Sequence, residues 1–185
     1  MKSSTQRRCL SSDNDSLQRK NVTTKLWVSA LLLLVLSVHA EAGDGGDKST
    51  YTPVSRFDSA RDPAKDLKDA VVEAQRTGKR IILDVGGEWC VWCHRLDSLF
   101  QRNKDLDEFL RTSFVVVKIN FSKENKNEGF LSQFPKIDGY PHLFVLHSDG
   151  KLLHSQNTGD LEEGKAHSRE RVFAFLKKWS PQPGK

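Results

Sequence analysis

The stretch Gly86-Gly87-Glu88-Trp89-Cys90-Val91-Trp92-Cys93-His94-Arg95-Leu96 sets two thiols two residues apart. That spacing suits three chemistries. In thiol–disulfide exchange one sulfur attacks and its neighbour resolves the mixed disulfide. Cys-x-x-Cys-His is also the c-type haem attachment pattern, with His94 as the axial ligand. The pair would also serve as half of a zinc site. A haem usually takes a second ligand; the only methionine is Met1, although His142, His147, His154 and His167 remain. A zinc site completed by His142 and His147 meets a geometric obstacle, because residues five apart on one strand point to opposite faces.

Cysteine usage separates these readings further. The 185-residue chain holds three cysteines, and the third, Cys9, precedes the run Leu26–Val38, the one long apolar stretch. That run is 13 residues long, short of the roughly 20 that cross a bilayer. Arg19, Lys20 and Lys25 precede it, and Ala40 and Ala42 frame an A-x-A cleavage pattern. Residues 1–42 therefore read as a signal peptide, or as a signal anchor given the length of the segment ahead of the apolar run. Their removal takes away six basic and three acidic residues and lowers the formal charge from +5 to +2. What remains lacks the clustered Lys/Arg footprint of a nucleic-acid binder. It keeps only Cys90 and Cys93 for an oxidising compartment. Two cysteines so close in sequence cannot staple distant parts of a fold, so their place in the chain points to reactivity.

The elements that must position them follow from patterning. Residues 43–55, Gly- and Ser/Thr-rich, read as a flexible tether, and the domain is expected over 56–182. Asp62 as N-cap, Pro63 at the first helical position, an apolar face of Leu67, Ala70, Val71 and Ala74, and Gly78 as the stop predict a helix. Arg80–Gly86 reads as a buried strand, and helical spacing resumes at Leu96, Leu99 and Phe100, so the cysteines fall at a strand-to-helix junction. Phe114–Phe121 reads as a second buried strand and Asn127–Phe134 as a short helix. Two strands follow, joined by a turn at Ser148-Asp149-Gly150. A final helix capped by Ser168 presents Val172, Phe173, Leu176 and Trp179. This order predicts an α/β domain, a central mixed sheet flanked by helices, with crossovers making parallel pairs and the last hairpin antiparallel.

Over residues 60–180 this order, with Leu-Asp-Val-Gly-Gly-Glu-Trp-Cys-Val-Trp-Cys at 83–93 and Gly-Tyr-Pro-His-Leu-Phe-Val-Leu-His-Ser-Asp-Gly-Lys at 139–151, resembles the thioredoxin-like superfamily. Trp-Cys-Val-Trp-Cys-His-Arg-Leu resembles its exported thioredoxin-7 or DUF255-like branch. The resemblance implies a thioredoxin-like fold and a thiol–disulfide oxidoreductase. Cys90 would be the nucleophile, since a helix N-terminus lowers a thiol pKa from about 8.5 toward about 7; Cys93 would resolve. Asp84, inside the apolar run Ile81–Val85, sits where burial disfavours a carboxylate's charge, and would take the proton of Cys93, with Lys118 as its partner. Tyr140 and Pro141, through a cis bond, and Trp92 would contact substrate, while Trp89 is contact surface or packing. His94 is a candidate cation beside the thiols. Two departures stand out: Gly86 occupies a position where the family usually has tryptophan, and Val91-Trp92 replaces Gly-Pro.

The expected function is therefore an exported, periplasmic or secreted enzyme that exchanges protein disulfides through Cys90 and Cys93. It would act as a monomer and without a diffusible cofactor, alongside a second redox protein. Residues 26–38 would anchor it to a membrane if the leader stays attached. A non-catalytic binding module on the same fold is the main alternative.

Overall fold

A computed structural model describes residues 51–182. The leader expected over 1–42, its apolar run and the first part of the tether lie outside the described residues. The rest of that tether departs from expectation: Val54 is buried and bridges Val117, and the Tyr51 hydroxyl donates to the Val116 carbonyl at 2.7 Å. Apolar Val54 and aromatic Tyr51 have a sheet edge to cover, so the ordered domain begins ahead of Arg56.

Helix α1 (Pro63–Thr77) starts as its sequence demands. The Asp62 carboxylate accepts from the Ala64 and Lys65 amides, and Gly78 closes the helix at φ 69°. Its Ala70 and Ala74 are fully buried against the sheet. Strand β1 (Arg80–Gly86) is the central strand, buried over its last six residues. It pairs in parallel with β2 (Phe114–Asn120) and antiparallel with β3 (His142–Leu146), which pairs antiparallel with β4 (Leu152–Asn157); the order is β2-β1-β3-β4. The expectation of parallel crossover pairs thus holds for β1 and β2, whereas β3 returns in the opposite sense.

Two helices, not one, make the β1–β2 crossover. Helix α2 (Val91–Arg102) stops at Asn103, whose side chain and backbone N–H both donate to the Leu99 carbonyl, and α3 (Lys104–Ser113) restarts at once. Leu106 of α3 is fully buried. Asn103 was the only signal of that break, with neither glycine nor proline beside it. Helix α4 is a single turn (Glu128–Leu131). After β4 a 3₁₀ turn leads into a two-residue ribbon, β5 (Glu162–Glu163) with β6 (Ala166–His167), and then α5 (Arg169–Trp179). Ser168 stands at the N-cap of α5, but its hydroxyl reaches Glu170 and not the helix amides. Val172, Phe175 and Leu176 are the buried residues of α5; Phe173 and Trp179 are only partly covered.

The alternation of β1 sorts the core in two. Ile81, Leu83 and Val85 pack toward α1 with Val115, Val117 and Ile119; Ile82 faces α2, α3 and α5 with Phe114, Leu143 and Val145. With a two-residue period, Asp84 and Gly86 share the face of Ile82 and lie under α2.

Candidate redox site

Cys90 is the N-cap of α2 and its sulfur accepts from the Cys93 amide at 3.1 Å. The two sulfurs are bonded to each other, with the Cα atoms 5.2 Å apart. Both residues are buried, Cys90 4% and Cys93 1% exposed. Their neighbours in sequence are not: Trp89 is 57% and Val91 60% exposed, two of the most open large apolar residues of the domain.

The face of β1 under α2 explains the departure at position 86. A Cβ on Gly86 would come within 2.5 Å of Cys93 Sγ and 3.1 Å of the Phe57 ring. Phe57, 4% exposed, forms a small cluster with the two cysteines, and Trp92 and Tyr140 pack around it. An aromatic ring from the segment ahead of α1 thus fills space beside the sulfurs.

One turn deeper, Asp84 and Lys118 are register partners on adjacent strands. Lys118 Nζ donates to Asp84 Oδ2 at 2.9 Å and to Asp97 Oδ1 at 2.8 Å. Asp97, four residues after Cys93 on α2, lies on the same helix face; nothing in the motif distinguished it, and only helical spacing from Cys93 could have. The ammonium also stands 4.2 Å above the Phe57 ring. Burial pushes Asp97 above the ordinary carboxylate range against the pull of Lys118. For Lys118 burial works downward, but the two carboxylates outweigh it and hold the ammonium above 10.5. The second oxygen of Asp84, Oδ1, is buried without a hydrogen-bond partner.

The Tyr140–Pro141 bond is cis, and Pro141 is buried with its carbonyl accepting from the Thr158 hydroxyl at 2.5 Å. Tyr140 stacks on Phe121 at 4.7 Å, meets Trp89 edge-on at 5.8 Å, and has its hydroxyl pushed up by burial. Trp89 donates its indole N–H to the Phe121 carbonyl at 2.7 Å. Trp92 packs beside the cysteines, but its ring is engaged elsewhere: Arg95 lies 4.4 Å over its face and His167 meets its edge at 5.6 Å. His94 is exposed at the helix start and its Nε2 contacts the Glu88 carbonyl at 2.8 Å. The β5–β6 ribbon that brings His167 to Trp92 carried no recognisable sequence pattern. A groove of about 730 Å³ borders the site, with Phe57, Glu88, Trp89 and Phe121 among its walls and Lys123 and Lys126 among its lining residues. Among the described residues no three His, Cys, Asp or Glu side chains converge as a metal site would require.

A family model described as Thioredoxin-like matches residues 62–148, the span from the start of α1 to the β3–β4 turn. The solved disulphide isomerase of Xylella fastidiosa Temecula1 superposes with a TM-score of 0.58 at 29% identity, covering 66% of this chain and 94% of that one. Residues 62–148 match the thioredoxin-like family, and the described domain has the thioredoxin-like fold. The C-terminal domain of Neisseria meningitidis DsbD in its oxidised form shares this thioredoxin-like fold, with a TM-score of 0.51 at 16% identity over 68% of this chain and 99% of that domain. A curated relative, the thiol:disulfide interchange protein DsbD of Pseudomonas sp. (strain JR1 / K1), is 27% identical over 135 residues; the match spans 71% of this chain and 22% of that relative's length. The thioredoxin-like relatives carry names of thiol–disulfide oxidoreductases.

Proposed function

We propose that this thioredoxin-like domain is an exported thiol–disulfide oxidoreductase acting on protein disulfides. The observation that carries the proposal is the Cys90–Cys93 pair at the N-terminus of α2, with the Tyr140–Pro141 loop beside it and a carboxylate–ammonium cluster behind it. In the reductive direction the Cys90 thiolate attacks a substrate S–S bond. A Cys90–substrate disulfide forms and one substrate thiolate leaves. Cys93 then gives up its proton toward Asp84 and attacks Cys90 Sγ. The Cys90–Cys93 disulfide forms, the second substrate thiolate leaves, and two electrons have passed to the substrate. The steps run backward for oxidation.

Unpaired amides at the start of α2 stabilise the Cys90 thiolate. Tyr140, Pro141 and Trp92 form the docking surface, and Lys118 and His94 tune the charge around the sulfurs. The second dithiol, which supplies or removes electrons, belongs to another protein. Periplasmic or secreted placement accords with the relation to DsbD and with the leader read from the sequence.

Insulin-disulfide reduction with dithiothreitol tests this directly. The wild type is expected to accelerate insulin precipitation and Cys90→Ser to lose that effect. Equal rates for the two proteins would leave a binding module in place of an enzyme.

A further inference from the structure

The arm ahead of α1 is tied to the redox site at several points that the function above does not use. Val54 bridges β2, the Phe57 amide donates to Glu88 Oε1 at 3.1 Å, and the Ser59 carbonyl accepts from Asn125 Nδ2 at 2.9 Å. Between these ties the Phe57 ring reaches both cysteines, the backbone of Gly86 beside Cys93 Sγ, and the ammonium of Lys118.

We propose that Phe57 is a positioning residue for the resolving sulfur. Its ring holds Cys93 against Gly86 and covers the buried Asp84–Lys118 pair, so that the Cys93 proton exchanges with that pair and not with solvent. The inference rests on the oxidoreductase reading. The space over Gly86 is shared by Cys93 Sγ from α2 and the Phe57 ring from the arm, and the ring is the arm's side chain that backs the sulfur there. An apolar ring also keeps the effective dielectric low around Lys118, which strengthens its hold on both carboxylates. The charged or titratable groups facing this region are Asp84 of β1, Lys118 of β2, Asp97 and His94 of α2, Glu88 of the loop between, Tyr140 of the loop ahead of β3, and Arg56 of the arm, 4.0 Å from Glu88. None of the others comes between the Phe57 ring and Lys118.

The test follows a single turnover. Cys90 of the reduced full-length protein is loaded as a mixed disulfide with thionitrobenzoate, and release of the chromophore by Cys93 is timed from pH 5 to 10. For Phe57→Ala the release is expected to slow about tenfold at pH 7, its midpoint moving up toward the value near 8.5 of an unassisted thiol. Phe57→Leu keeps the apolar bulk but offers no ring face to the ammonium, so its midpoint should move the same way by a smaller amount; it carries the test if the alanine variant does not fold. A folded variant of either kind that melts lower but keeps the wild-type midpoint would reduce Phe57 to core packing and overturn the proposal. The wild type's thiol–disulfide equilibrium with glutathione separates the two levels: failure to exchange would sink the oxidoreductase reading itself, whereas normal exchange with unchanged Phe57 profiles sinks only the positioning role.

Discussion

Cys93 and Gly86 are matched across the β1–α2 junction: the sulfur occupies the space where a side chain on residue 86 would begin, 2.5 Å from the position of its Cβ. The contact is steric, since Gly86 does not need a left-handed backbone. Gly86→Ala should therefore destabilise the oxidised domain by about 1 to 3 kcal/mol, the usual effect of overpacking a closed site. Urea denaturation with the disulfide intact checks this; an unchanged midpoint would mean that the sulfur moves aside freely.

Lys118 neutralises two carboxylates on the same buried face, so its removal leaves Asp84 and Asp97 without a counter-ion. Lys118→Met should lower stability at pH 7 by about 3 kcal/mol, as when one partner of a buried ion pair is deleted. The pH dependence has a definite sign. The folded-state pKa of Lys118 is raised above 10.5, so its contribution is complete below that pH and is lost as pH climbs through the higher folded value. Asp97 is also raised, so its share is greatest below 3.8 and declines as pH rises through its folded value. The deficit of Lys118→Met should accordingly shrink in acid. Chemical denaturation of both proteins at pH 4, 7 and 9 decides it, and a pH-independent deficit would contradict the ion-pair account.

His142 and His167 are both 4% exposed; His167 has neither ring nitrogen partnered and His142 leaves Nδ1 free. Burial lowers both below the usual 6.5, with Arg95 adding to the effect at His167. An imidazole held neutral in the fold contributes stability that is present above 6.5 and lost as pH falls through its lower folded value. The urea midpoint should consequently drop between pH 7.5 and 5, and less steeply in His167→Phe, which keeps the edge contact with Trp92 but cannot charge. Parallel slopes for the two proteins would show that His167 does not titrate in that range.

Much of the fold was legible because local chemistry and tertiary demand agree there. Asp62, Pro63 and Gly78 bound α1 by backbone needs that any surroundings would share. The apolar run Ile81–Val85 marked β1 as a buried strand with Asp84 inside it, and strand register then set that residue beside Lys118. Helix α3 was hidden because the break at Asn103 depends on a side chain folding back onto Leu99, a choice made by the burial of Leu106. The β5–β6 ribbon was hidden because two residues per strand are too few for periodicity.

At the site the division is the same. By itself the sequence determined the Cys90–Cys93 spacing, its placement at a strand-to-helix junction and the Tyr140-Pro141 dipeptide, since each is encoded within a few residues; the Asp84–Lys118 pairing, 34 residues apart, came from the resemblance alone. Only the tertiary structure decided that Asp97 shares Lys118, that Trp92 lies between Arg95 and His167, and that Phe57 packs beside Cys93 over Gly86. Those contacts join residues from 3 to 75 positions apart, and sequence distance says nothing about which side chain will reach a gap once the sheet and helices have closed around it.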